Sequence, residues 1–105
     1  MSLSYENFEV SNDRYDKLND PLNKIIDGNQ DEELTQVEKF VLFDYFNLCG
    51  EEYFFYRQRH IHPIVWEAWL NGMQFYYNQP RIGKLWIEEL EQNSYYGFSA
   101  NLFKH

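Results

Sequence analysis

Cysteine is all but missing from this 105-residue chain: Cys49 stands alone, so no internal disulfide can form, which fits a reducing compartment. Basic side chains are also scarce. Nine Lys and Arg face 17 Asp and Glu, a net charge of -8. Such a surface repels phosphate backbones and anionic lipid, so neither nucleic acid nor a membrane surface is an expected partner. Apolar runs are short, because Lys39, Asp44, Glu51 and Glu52 interrupt the richest stretch. None approaches the ~18 residues that would cross a bilayer, so this chain is not expected to insert into a membrane. The opening residues lack the basic start, apolar core and small-residue cleavage site of a secretory signal, and a cytoplasmic location is the expectation. Met1-Ser2-Leu3 has the look of a cloning leader. Glycine-rich phosphate loops, serine nucleophile elbows and Cys-x-x-Cys pairs are missing, as is any strand-length alternation between hairpin turns.

Aromatic surface is what the chain has in excess. It carries three Trp, nine Tyr and nine Phe, and all but Tyr5, Phe8, Tyr15 and Phe103 lie between Phe40 and Phe98. A chain of this length forms one domain with a small interior, burying roughly two-thirds of the surface its unfolded form exposes. The aromatics therefore speak to packing and association first. Charge is uneven too: residues 1–36 hold nine acidic side chains against Arg14, Lys17 and Lys24, while the rest is nearly balanced. The plain reading of that segment is a solvated face packing on a 34–105 helical core. The alternative is docking onto a basic protein patch.

The pattern predicts an all-α fold, a small helical bundle built on a long antiparallel helix hairpin (about 35–59 and 63–79) with short flanking helices. Tyr5, Phe8, Tyr15 and Leu18 among polar neighbours predict one or two short amphipathic turns over 4–20. Pro21 then starts a brief helix to Ile26, stopped by Asp27-Gly28-Asn29. Thr35-Gln36-Val37-Glu38 forms a capping box, opening a helix to about Arg59 that would be ~36 Å long. Asp44, Asn47, Glu51 and Gln58 form its one polar stripe, so other elements should surround it. Gly50 inside it marks a close crossing or a small bend. Pro63 begins the partner helix, with Glu67, Asn71, Gln74 and Asn78 as its wet stripe. Pro80 opens a third segment carrying Ile82, Leu85, Trp86 and Leu90, and Ser94 could cap a last short helix through Tyr95, Tyr96, Phe98 and Leu102.

Few residues invite chemistry. His60-x-His62, near Glu51, Glu52 and Glu67, is a candidate metal site, but the Glu-x-x-His spacing of two-helix metal centres is absent. The competing reading is a helix C-terminus whose carbonyls His60, Arg57 and Arg59 complement. Neither a metal nor any cofactor is expected. Glu51-Glu52 and Glu88-Glu89 point about 100° apart on a helix, so neither pair shares a proton. Glu52 lies nearer the aromatic side; if buried, it should pair with Arg57, Arg59 or a tyrosine hydroxyl. Cys49 beside Leu48 reads as a small inert hydrophobe. Arg57-x₄-His62 resembles the motif of the helical RNA-cleaving family called higher eukaryotes and prokaryotes nucleotide-binding domains. There arginine steadies phosphate and histidine moves a proton, but Pro63 breaks the pattern here.

A second resemblance is broader. Tyr45-Phe46-Asn47-Leu48-Cys49-Gly50-Glu51-Glu52-Tyr53-Phe54, Ile64-Val65-Trp66-Glu67-Ala68-Trp69, Trp86 and Tyr95-Tyr96-Gly97-Phe98 resemble an uncharacterised bacterial helical domain family, often found behind a membrane-anchor helix. The resemblance covers residues 34–98 and implies an all-α fold without an activity. Three functions follow from the residues. The first is a protein–protein interaction domain, self-associating as a homodimer or binding another protein through a surface around Glu52, Tyr53, Tyr56, Trp66, Trp69 and Tyr76. The second is a small-molecule or peptide pocket among those same side chains, with Glu52 or Arg57 as polar anchor. The third is RNA cleavage by Arg57 and His62.

Overall fold

The computed structural model describes the backbone of residues 3–104 and the side chains of residues 12–104. Met1 and Ser2 of the supposed leader, and the side chains of Tyr5 and Phe8, lie outside the described residues. The fold is an all-α bundle of α1 (Leu3–Asp27), α2 (Gln36–Arg57), α3 (Pro63–Tyr77) and α4 (Pro80–Leu90), closed by a single 3₁₀ turn at Ala100–Leu102. No strand occurs among the described residues.

Local chemistry explains most of the boundaries. The Thr35 hydroxyl accepts from the Glu38 amide at 3.1 Å while Glu38 accepts from the Thr35 amide at 2.9 Å, completing the capping box. Pro63 and Pro80 occupy the first turns of α3 and α4, where a missing N–H has no helical partner to lose. The wet stripes stand where the spacing put them: Asp44, Asn47, Gln58, Glu67, Asn71 and Asn78 are exposed.

Two ends depart from the sequence reading. The amphipathic turns and brief helix expected over 4–26 are one 25-residue helix that runs through Pro21. A proline at this position removes only the bond to the Lys17 carbonyl. Leu22 and Ile25 beyond it are 0% and 2% exposed, and their burial holds the last turns in place. Beyond α4, Ser94 caps no helix, because Asn93, Tyr96 and Gly97 all take positive φ and turn the chain back. That turn lays Tyr95 and Tyr96 against Gly50, where a β-carbon would sit 3.2 Å from the Tyr95 carbonyl oxygen. Gly50 thus marks a close approach, by the C-terminal segment and not by another helix.

Ring contacts give the helix directions. Tyr45 meets Tyr76 at 5.1 Å and Tyr53 meets Trp66 at 5.6 Å, so α2 and α3 run antiparallel. The helix packed most extensively along α2, however, is α1. Trp86 of α4 fills the centre, stacked between Phe46 at 4.6 Å and Phe98 at 5.8 Å, with the Phe103 ring edge-on at 5.0 Å. Its indole N–H is buried with no hydrogen-bond acceptor. Arg81 ties the opposite end together: it donates to the Ile25 carbonyl at 3.0 Å and the Glu32 carbonyl at 3.3 Å, and lies 3.6 Å from Glu38.

Candidate functional site

A partly enclosed cavity of about 270 Å³ lies between α1, α2 and α3. Among the described residues, α1 contributes Asn12 and Tyr15, and α2 contributes Tyr45 and Glu52. The α3 wall is Ala68, Trp69, Gly72, Met73 and Tyr76. Helical spacing sets these sides: Tyr45, Cys49 and Glu52 step by four and three along α2, as Trp69, Met73 and Tyr76 do along α3. Tyr45, Glu52, Met73 and Tyr76 are buried and form the floor, while Ala68 and Gly72 are exposed and mark the mouth. A β-carbon on Gly72 would meet no atom of the described residues within 4 Å beyond its own helix.

Glu52 is the unusual group here. It is only 6% exposed, the one charged residue buried as a whole among the described residues. It makes no hydrogen bond or ion pair to another described residue. Burial pushes its carboxyl from 4.5 up to about 8; the Arg14 charge opposes this and the Glu51 charge adds to it. Arg14 itself is held at 2.9 Å by Glu51 at the edge of the bundle. Among the described residues, the expected pairing of Glu52 with Arg57, Arg59 or a tyrosine hydroxyl is therefore not formed. Arg57 instead lies over the Tyr53 ring, 5.8 Å from its centre.

The neighbouring hydroxyls stay protonated. Tyr15 and Tyr76 share a hydrogen bond of 3.0 Å between α1 and α3. Burial raises the Tyr76 phenol, and this bond raises it further. Burial likewise lifts Tyr45 and Cys49, each raised again by neighbours that include Glu52. Cys49 is 0% exposed, which suits its reading as an inert hydrophobe.

The six side chains grouped from the sequence fall into two sets. Glu52, Trp69 and Tyr76 line the cavity. Tyr53, Tyr56 and Trp66 form a separate stack toward the helix connection, with Tyr56 and Trp66 parallel at 4.9 Å. The sequence reading missed Asn12, Tyr15, Tyr45 and Gly72. The four–three step from Tyr45 to Glu52 was the available signal, whereas nothing local places α1 across the opening.

Arg57 and His62 do come together, lining one open groove with Tyr56, Arg59, Ile61 and Pro63. His62 is engaged in capping: its Nδ1 accepts from the Ile64 amide at 3.1 Å, leaving Nε2 alone to carry a proton. His60 Nδ1 is buried without a partner. Among the described residues no three His, Cys, Asp or Glu side chains are placed to hold a metal ion, and no helix is long and apolar enough to cross a membrane. Compared with protein-family models, with curated proteins and with solved structures, the chain matches none.

Proposed function

We propose that the protein binds a small molecule in the cavity between α1, α2 and α3. One observation carries this reading: a carboxyl only 6% exposed faces about 270 Å³ of open space and pairs with no described residue. A buried polar group without a partner is unfavourable by ~1–3 kcal/mol, and close packing around it would have been the simpler arrangement. The aromatic walls supply apolar contact, and the carboxyl supplies orientation, the combination typical of ligand pockets.

Self-association draws less support. The exposed apolar side chains of the described residues are divided among several elements: Val37, Phe40 and Phe54 on α2, the last beside Tyr96, then Ile64 and Phe75 on α3 and Ile87 on α4. Phe40 and Phe54 are ~21 Å apart along the helix at ~1.5 Å per residue. RNA cleavage is opposed by the net charge of -8.

The test uses benzyl alcohol as a neutral probe of the cavity, followed by amide NMR shifts on the full chain. Shifts should concentrate on the lining residues of all three helices and vanish in Gly72→Phe, whose ring grows into the open space. Scattered shifts that persist in the plugged variant would overturn the pocket.

A further inference from the structure

The cavity's own chemistry narrows the ligand. Its one ionisable group that can carry charge near neutral pH is Glu52, and no cationic side chain lies among its described lining residues. The nearest cation, Arg14, is committed to Glu51. Rings of Tyr15, Tyr45, Trp69 and Tyr76 make up much of the wall. Aromatic faces attract positive charge and repel negative charge, and more strongly where water is excluded. An anionic ligand would meet a carboxylate and π faces with nothing to pair it. A cation would supply the direct ion-pair partner that no described residue gives Glu52. Size sets a further bound: an apolar cavity of ~150 Å³ admits benzene, so about 270 Å³ takes a ring with a short substituent.

We propose that the ligand is a small organic cation, its ammonium group set against the Glu52 carboxylate and its hydrocarbon body among Tyr45, Trp69 and Tyr76. This rests on the pocket reading above and adds the charge of the ligand to it. The ammonium donates hydrogen bonds to the two carboxylate oxygens that no described residue serves. The mouth at Ala68 and Gly72 admits the ligand beside α3.

Binding is then coupled to a proton. In the empty cavity burial holds the Glu52 carboxyl at about 8, so it is mostly protonated at neutral pH. Among the described residues, the groups facing it are Arg14 and Tyr15 from α1, Glu51, Tyr45 and Cys49 from α2, and Tyr76 from α3. The tyrosines and the cysteine stay neutral, and Arg14 and Glu51 hold each other. A bound cation stabilises the ionised carboxylate, and the acidic proton of Glu52 passes to solvent.

The experiment titrates the full chain by calorimetry with benzylammonium, benzyl alcohol and benzoate, in buffers of different ionisation enthalpy. At pH 8 benzylammonium should bind at least tenfold more tightly than benzyl alcohol, and benzoate more weakly than either. Close to one proton should leave per benzylammonium near pH 6.5, and about half of one near pH 8. Glu52→Gln should erase the preference for the cation, bringing the affinities of benzylammonium and benzyl alcohol together. Benzyl alcohol binding as tightly as the cation, while Gly72→Phe still blocks it, would overturn the cation and leave the pocket standing. No binding of either probe would overturn both. Cation binding without proton release in the wild-type chain would remove Glu52 as its counter-charge.

Discussion

Replacing Glu52 by glutamine exchanges an ionisable carboxyl for a neutral amide of the same shape, in a position 6% exposed. Burial pushes the wild-type carboxyl from 4.5 to about 8. Between those values the unfolded chain has released its proton while the folded chain keeps it. Stability therefore falls as pH rises, by ~1.4 kcal/mol per unit, with no further change below the lower value or above the upper one. The full span amounts to ~5 kcal/mol, of which ~3 kcal/mol is already lost at pH 7. That is a large share of the ~5–15 kcal/mol that holds a typical domain together. Glutamine has no such dependence. Its buried amide, itself short of partners, shifts the whole curve by a roughly constant ~1–3 kcal/mol. The slope is thus the readout, not the offset. Urea unfolding of both proteins at each pH from 5 to 9 gives a difference curve in which every other titrating group cancels. The difference should climb in favour of Glu52→Gln up to about pH 8 and then level off. A flat difference would mean that Glu52 ionises in the folded chain as it does in water and is not held neutral by its burial.

Two glycines give opposite predictions for the same substitution. At Gly83 a β-carbon would lie 2.2 Å from the Tyr77 carbonyl oxygen, so Gly83→Ala must open the α3–α4 junction and should lose about 3 kcal/mol despite its better helix propensity. At Gly72 no described neighbour lies within 4 Å, so Gly72→Ala should gain up to ~1 kcal/mol, or roughly 4–8 °C in Tm. Thermal unfolding checks the pair, and equal effects at the two sites would refute the packing described. Arg81→Met removes the donors to the Ile25 and Glu32 carbonyls and the partner of Glu38; it should lose about 2–3 kcal/mol in urea unfolding. An unchanged midpoint would show the clamp to be slack.

Periodicity carried the middle of the fold and failed at its edges. The Thr35–Glu38 box, the prolines that open α3 and α4, and both polar stripes depend on neighbours within a turn, where spacing alone is informative. Phe40 and Phe54 were legible as well. They continue the stripe Asp44, Asn47, Glu51, Gln58 by helical steps, and they are exposed. The sequence reading ended the stripe at its four polar residues and did not carry it through these two rings. Pro21 was read as a start because its ring is penalised inside a helix. Burial of Leu22 and Ile25 against other elements outweighs that penalty, and no local pattern records it. Gly83 was passed over for the same reason, since its meaning lies in a carbonyl across the α3–α4 junction. The burial of Glu52 was the alternative weighed from the sequence, but its surroundings depend on how α1 crosses α2 and α3.

Two locally unfavourable choices meet at one place in this molecule. Gly72 gives up ~1 kcal/mol of helix propensity on an exposed stretch of α3, where no described neighbour requires a missing side chain. Glu52, across the cavity from it, gives up several times more by keeping a carboxyl among rings. Folding alone would favour alanine or leucine at the first position and a hydrophobe at the second. Sequences tend to break such rules where something other than stability selects the residue. Each exception taken alone is unremarkable. Both line the same 270 Å³ space, one at its mouth and one on its floor. Their combined effect is to keep that space open and acidic, and this convergence argues for an occupant more strongly than either residue does alone.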